Sequence, residues 1–189
     1  MDENSSRLAP TLWRTFRVIA NAKRLRCLRF VLKQPDSTVE QVARAVRIPE
    51  AKASQALRAI QSRGLVASHR QSRWLRHSPD PDPSVSAADA FLLAMKSALL
   101  DERIPEAKIV EAATAYTHPR RIEIVRALAF AGTAEPHALS VQLGISLPAL
   151  RRHLGNLRRR GVVENANRRY SLSKAKNKLA HDLLLIVLM

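Results

Sequence analysis

Apolar positions recur along most of the chain at the three- and four-residue spacing of amphipathic helices. Leu12, Phe16 and Ile19 fall on one face between Thr11 and Asn21, and Leu25, Leu28 and Val31 or Leu32 do so between Ala22 and Leu32. Pro35-Asp36-Ser37-Thr38 then interrupts the pattern and offers a hydroxyl cap to a helix over Val39 to Val46. Ile48-Pro49-Glu50 predicts a tight turn into a longer helix, Ala51 to Arg63, with Gly64 at the C′ position where left-handed backbone ends a helix. Leu65 to Arg76 is short and Arg-rich, carries Trp74, and predicts a small β-hairpin.

The same order returns further on. A shift of 97 residues aligns Ala22 to Val66 with Pro119 to Val163 without a gap. Arg24/Arg121, Arg29/Arg126, Ile48/Ile145, Leu57/Leu154, Arg63/Arg160, Gly64/Gly161 and Val66/Val163 are identical pairs. The matched classes say more: Leu25 meets Ile122, Leu28 meets Val125, Val42 meets Leu139, Val46 meets Leu143, Ile60 meets Leu157, and Leu65 meets Val162. These are the positions a shared core needs. The second stretch predicts a helix to Thr117, helices over Arg120 to Phe130, His137 to Leu143 and Pro148 to Arg160, then Gly161 and a hairpin from Val162 to Leu172. Proline at the first helical turn, as at Pro148, sits where its missing N–H costs nothing.

Between the two stretches, His77-Ser78-Pro79-Asp80-Pro81-Asp82-Pro83-Ser84 forbids a helix and predicts a linker. The expected division is therefore a first domain over 8–77, a linker with an amphipathic helix over 78–104, and a second domain over 105–189. Composition narrows the class. Of 189 residues, 46% are hydrophobic but only 4% aromatic, and five are glycine, which disfavours a β-rich fold and suits helices. Lys and Arg number 32 against 16 Asp and Glu, a formal charge of +16, which predicts a polyanionic partner, nucleic acid before an anionic membrane. The charge is not spread evenly. Residues 77–111 hold Lys96, Arg103 and Lys108 against seven carboxylates, a net −4, which leaves +20 on the rest.

One cysteine, Cys27, excludes an internal disulfide or a multi-thiolate metal site within one chain, and its apolar neighbours predict a small buried residue. Met1-Asp2-Glu3-Asn4-Ser5-Ser6 lacks the basic and apolar regions of a signal peptide, and the apolar run Leu183 to Met189 is far short of the ~20 residues that span a bilayer. A soluble, cytoplasmic protein with no membrane partner is the expectation.

Helix, three-residue turn, second helix, glycine and two-stranded wing together describe a winged helix-turn-helix. The two turns are Ala43 to Ala51 and Ser140 to Pro148, each with a small residue early and apolar positions after it, so that two helices can cross closely. The expected fold is mainly α with two small β-hairpins, as two tandem winged helix-turn-helix domains that one chain could arrange as a pseudo-dimer.

With those residues in place, the chain resembles the ArsR-type winged-helix regulators. His118-Pro119-Arg120-Arg121-Ile122-Glu123-Ile124-Val125 is similar to the family's opening segment. Leu143-Gly144-Ile145-Ser146, then Arg152-His153-Leu154, Leu157 and Gly161-Val162-Val163, are similar to its recognition helix and wing entry. The first copy matches less well, through Asn21 to Leu28 and Ser54-Gln55-Ala56-Leu57. Metal-sensing members carry a cysteine pair in the helix before the recognition helix. Thr38 to Ala43 and Glu135 to Ser140 contain no thiol, and His137 there reads as a solvated residue, so no metal or other cofactor is expected.

The resemblance implies a double-stranded-DNA-binding transcriptional repressor, and helical geometry says which side chains would touch the duplex. At 100° per residue, Leu150, Leu154 and Leu157 form the buried stripe of the second recognition helix. Pro148, Ala149, Arg152, Asn156 and Arg159 then face away, and Arg151 and Arg158 flank the stripe within reach of phosphates. In the first copy the outward set is Lys52, Gln55, Arg58, Ala59 and Ser62. Arg pairs with guanine and Asn or Gln with adenine, each good pair discriminating by ~1–3 kcal/mol. Five arginines between positions 151 and 160 repel one another unless an anion intervenes. The wings bring Arg70, Arg73 and Arg76, then Asn167, Arg168 and Arg169, for the backbone or minor groove, with Trp74 and Tyr170 expected to pack beneath them.

Val85 to Leu100 is strongly amphipathic, and the run Leu183 to Met189 is apolar all round, which predicts burial within a pseudo-dimeric monomer or between chains of a homodimer. A replication initiator or chromosome-associated scaffold with tandem winged helices is the alternative function, since unequal recognition helices also suit an asymmetric site. Catalysis is not expected. The glycines are isolated, the six histidines form no metal-spaced pair, and the acids gather near the linker.

Overall fold

The computed structural model describes residues 11–189, so the opening segment and the expected domain start at residue 8 lie outside the described residues. The first half runs α1 (Leu12–Ile19), α2 (Ala22–Lys33), β1 (Ser37–Thr38), α3 (Val39–Val46), α4 (Glu50–Gln61), β2 (Ala67–Gln71) and β3 (Trp74–Ser78). After α5 (Ala88–Lys96) and a π-helical turn (Ser97–Asp101) come α6 (Glu106–Thr114), α7 (Pro119–Ala131), β4 (Thr133–Ala134), α8 (Pro136–Leu143), α9 (Leu147–Arg159), β5 (Val163–Ala166), β6 (Arg169–Leu172) and α10 (Lys178–Leu188). The chain is mainly helical, as its composition predicts, with two small antiparallel sheets.

Each sheet has three strands, where the sequence predicts only hairpins. The orders are β1-β3-β2 and β4-β6-β5. The extra strands are two residues long, too short for any alternation to register. Ser37 pairs with His77 and Thr133 with Ser171, so each wing is stitched to the segment just before the helix-turn-helix. His77 and Ser78 consequently finish β3 and are buried.

Local chemistry fixes the helix ends. Thr38 and Gln41 form a reciprocal capping box at α3, with hydrogen bonds of 3.3 and 2.8 Å. Asn21 Oδ1 accepts from the Arg24 amide at α2, and His118 Nδ1 accepts from the Arg120 amide at α7, both at 3.1 Å. Four helices end in the same left-handed turn. Ile48 N donates to Ala43 O and Ile145 N to Ser140 O between the paired helices, while Leu65 N donates to Ile60 O and Val162 N to Leu157 O before the wings. Glycine occupies the left-handed position at 64, 144 and 161, but at 47 it is arginine, with φ 57°.

Contacts between the halves come mainly from elements outside the helix-turn-helices. Helix α1 packs on α6, α5 on α10, α2 reaches α6 and α1 reaches α7. Phe16, fully buried, meets Phe91 edge-on at 4.9 Å and the Tyr116 ring at 4.8 Å. The expected helix over Val85 to Leu100 starts only at Ala88, because Ala87 is left-handed, and widens to π geometry from Ser97. The run Leu183 to Met189 is not buried all round. Leu183, Ile186 and Val187 are inside, but Leu185, Leu188 and Met189 are exposed, because α10 has neighbours on one side only.

Candidate nucleic-acid interface

The interface is built on two helices that lie on their cores through short apolar stripes. Ala53, Ala56, Leu57 and Ile60 anchor α4, and Leu150, Leu154 and Leu157 anchor α9 with no measurable exposure. Burying three leucines at i, i+4 and i+7 fixes the rotation of α9, so its arginines have only one side on which to emerge. Arg151, Arg152, Arg158 and Arg159 are exposed, as are Lys52, Gln55 and Arg58 on α4 and Ser62 at its C-terminal cap. Ala59 and Ala149 are half-buried, less outward than helical geometry predicts.

Several of these side chains are already engaged. Asn156 is half-buried and its Oδ1 accepts from Arg159 Nη2 at 2.6 Å, which orients that guanidinium along the helix. Ser62 Oγ, at the C-terminal cap, donates to the Ala59 carbonyl at 2.9 Å, so its proton is used on the last turn of α4. Gln61 Nε2 donates to Ser68 Oγ at 2.8 Å and ties α4 to its wing. Arg152 and Arg58 carry no hydrogen bond or ion pair among the described residues.

The wings differ at their tips. Asn167 and Arg168 both have positive φ and form a two-residue loop closed by the Ala166 and Arg169 pair, which exposes Arg168. Arg169 turns back instead. Its guanidinium reaches Glu135 at 3.3 Å and Thr133 through both the hydroxyl and the carbonyl, bracing β6 against the entry to α8. Arg70 and Arg73 are exposed on the first wing, and Arg76 is half-buried, donating to the Asp36 carbonyl at 2.8 Å. Trp74 does not pack beneath its wing. It is 42% exposed, because its position next to the tip lies beyond the core, and Arg73 stacks on it at 5.1 Å. Tyr170 is half-buried against the core, as expected.

The sequence does not foresee one pairing of histidines. The His118 and His153 rings lie 4.7 Å apart, joining the start of α7 to the buried side of α9. Desolvation, the charges of Arg121, Arg120 and Arg152, and for His153 the neighbouring His118, hold both below the ordinary imidazole range. Because His118 Nδ1 accepts a hydrogen bond, its proton sits on Nε2. The one available signal was positional: His153 is three residues beyond Leu150, on the apolar stripe. No cluster of three or more potential metal ligands exists among the described residues, and no helix there is long and apolar enough to cross a membrane.

Two close-packed helices, the second presenting arginines, followed by a stranded wing, define a winged helix-turn-helix over α7 to β6. Residues 118–165 match the family model described as bacterial regulatory protein, arsR family, so this stretch is similar in sequence to that family's helix-turn-helix. No curated protein and no solved structure matches the chain significantly.

Proposed function

We propose that the chain is a transcriptional repressor that reads double-stranded DNA with two recognition helices, α4 and α9, one from each of two tandem winged helices. The supporting observation is the recurrence of the whole helix-turn-helix frame. Helices α2, α3 and α4 begin 97 residues before α7, α8 and α9, with the same left-handed turn at matched positions and a three-stranded wing after each. The domains would be 8–77 and 105–189, joined by 78–104. The pairings of α1 with α6 and of α5 with α10 join equivalent elements, which is the arrangement an isologous dimer has, so the folded monomer would act as a pseudo-dimer. Exposed Leu93, Leu185, Leu188 and Met189 leave room for further association into a homodimer.

In this mechanism Arg152 and, on α4, Gln55 and Lys52 meet base edges in successive major grooves. Arg151, Arg158, Arg70, Arg73 and Arg168 hold phosphates or the minor groove. Arg159 is positioned by Asn156, and Arg169 acts by bracing its wing. Trp74 with Arg73 offers a flat cation-and-ring surface to the sugar-phosphate edge.

A salt titration of binding to a duplex measures the electrostatic part. Each phosphate neutralised adds ~0.9 to the slope of log K against log salt. Five or more contacts predict a slope steeper than about −4, and a flat dependence overturns the proposal.

A further inference from the structure

We propose that the second half also carries a pocket for a small anion, bearing a carboxylate or phosphate group, where α6, the end of α9 and the start of α10 meet. A cavity of about 370 Å³ opens there, lined among others by Lys108, Glu111, Arg159, Arg160, Lys176 and Asn177. That volume lies within the range of small-ligand sites. Four cations face one carboxylate, and Glu111 is already paired with Lys108 at 3.2 Å. Arg159 is held by Asn156, which leaves Arg160 and Lys176 without an acidic partner among the described residues.

Arg160 Nε is buried with no hydrogen-bond partner, as is that of its match Arg63 in the first half, so the excess of positive charge in the cavity, and not this nitrogen, points to an anion.

The first half shows what the same place looks like when the chain itself fills it. Beside Gly64, Asp82 N donates to the glycine carbonyl at 2.9 Å, and a Cβ built on Gly64 would sit 2.8 Å from Val85 Cβ. Beside the matched Gly161 lies only the flexible end of Lys176, with Cε 3.3 Å and Nζ 3.4 Å from such a Cβ. A separate space of about 40 Å³ shares Arg160 and Gly161 with this cavity and is lined also by Tyr116, Val162 and Leu183.

Arg159 and Arg160 also close the recognition helix. If α9 reads DNA, as proposed above, an anion here lowers the positive potential facing the duplex and weakens binding.

The pocket is tested on the full chain without DNA, by following the thermal midpoint while inorganic phosphate or acetate is titrated at constant ionic strength set with sodium chloride. Phosphate is expected to raise the midpoint with saturation, and a rise with acetate too would mean that a carboxylate suffices. Lys176→Gln is expected to weaken the phosphate effect about tenfold, the loss of one charge-assisted hydrogen bond, while Lys23→Gln on the exposed side of α2 leaves it intact. No rise with either probe, or equal losses in the two variants, overturns the pocket. A rise without any change in DNA affinity keeps the pocket and overturns its coupling to α9. Absence of DNA binding altogether defeats the regulator proposal and leaves the thermal result to decide the pocket alone.

Discussion

Arg29 and Arg126, 97 residues apart, make the same kind of attachment in the two halves: each donates to a backbone carbonyl just past or at the end of the following apolar helix. Arg29 reaches the Ile104 carbonyl at 3.0 Å and pairs with Glu106, and Arg126 Nε reaches the Val187 carbonyl at 2.7 Å. At Val187, in the last turn of α10, the cation satisfies an acceptor that the helix itself leaves open. Arg126→Ala should therefore destabilise the fold by about 1–2 kcal/mol, read as a lower urea midpoint at unchanged slope. A loss indistinguishable from that of an exposed control such as Lys23→Ala would show that the attachment contributes nothing.

The left-handed turns predict graded costs for adding a methyl group. At Gly144 a Cβ meets nothing within 4 Å, so Gly144→Ala should lose only the backbone term, about 1 kcal/mol. Gly64→Ala carries the same term plus a clash with Val85 at 2.8 Å, and should lose about 2–4 kcal/mol in all. Chemical denaturation of the two variants checks the order, and a reversed order would contradict the packing of the linker on Gly64.

Acid should weaken the fold well before the carboxylates titrate. His77 is 2% exposed with neither ring nitrogen hydrogen-bonded, and desolvation holds its pKa below the ordinary 6.5. His118 and His153 are lowered as well. At all three the native state binds fewer protons than the unfolded chain. Stability is then fully present above pH 6.5 and declines as pH falls through that value toward the native ones. Unfolding free energies at pH 7.5, 6.5 and 5.5 should fall in that order. His77→Leu should flatten the decline and, by removing two unpartnered nitrogens, stabilise the neutral-pH protein by about 1 kcal/mol.

The wings separate contact from support. Arg168→Ala should weaken DNA binding evenly across sequences and reduce the salt slope by ~0.9 without changing stability. Arg169→Ala should cost about 1 kcal/mol of stability, since it removes the braces to Thr133 and Glu135. Trp74→Ala should leave stability within ~0.5 kcal/mol, as an exposed position does, while weakening binding. Paired denaturation and anisotropy measurements distinguish the three.

What the sequence carries and what it hides follow from the range of each interaction. Helices with their caps are local, so the stripe Leu150, Leu154, Leu157 and the turns at Gly64, Gly144 and Gly161 could be read from spacing alone. Strands β1 and β4 exist only because Ser37 and Thr133 find partners about 40 residues away, and two residues leave no pattern. Exposure at Trp74 depends on how far the hairpin projects, and burial of His77 on where the strand ends. The pairing of Asn156 with Arg159, and of His118 with His153, required side-chain geometry. The candidate recognition face was thus legible as a direction on a helix, and its internal hydrogen bonds were not.

The most direct measurement is selection of bound sequences from a random duplex pool, with the full chain and two variants. Two half-sites about one helical turn apart are predicted, with Arg152→Ala blurring one and the double variant Lys52→Ala, Gln55→Ala blurring the other. Enrichment of no motif, or of a single half-site that the α4 variant leaves untouched, would contradict reading by both helices of one chain.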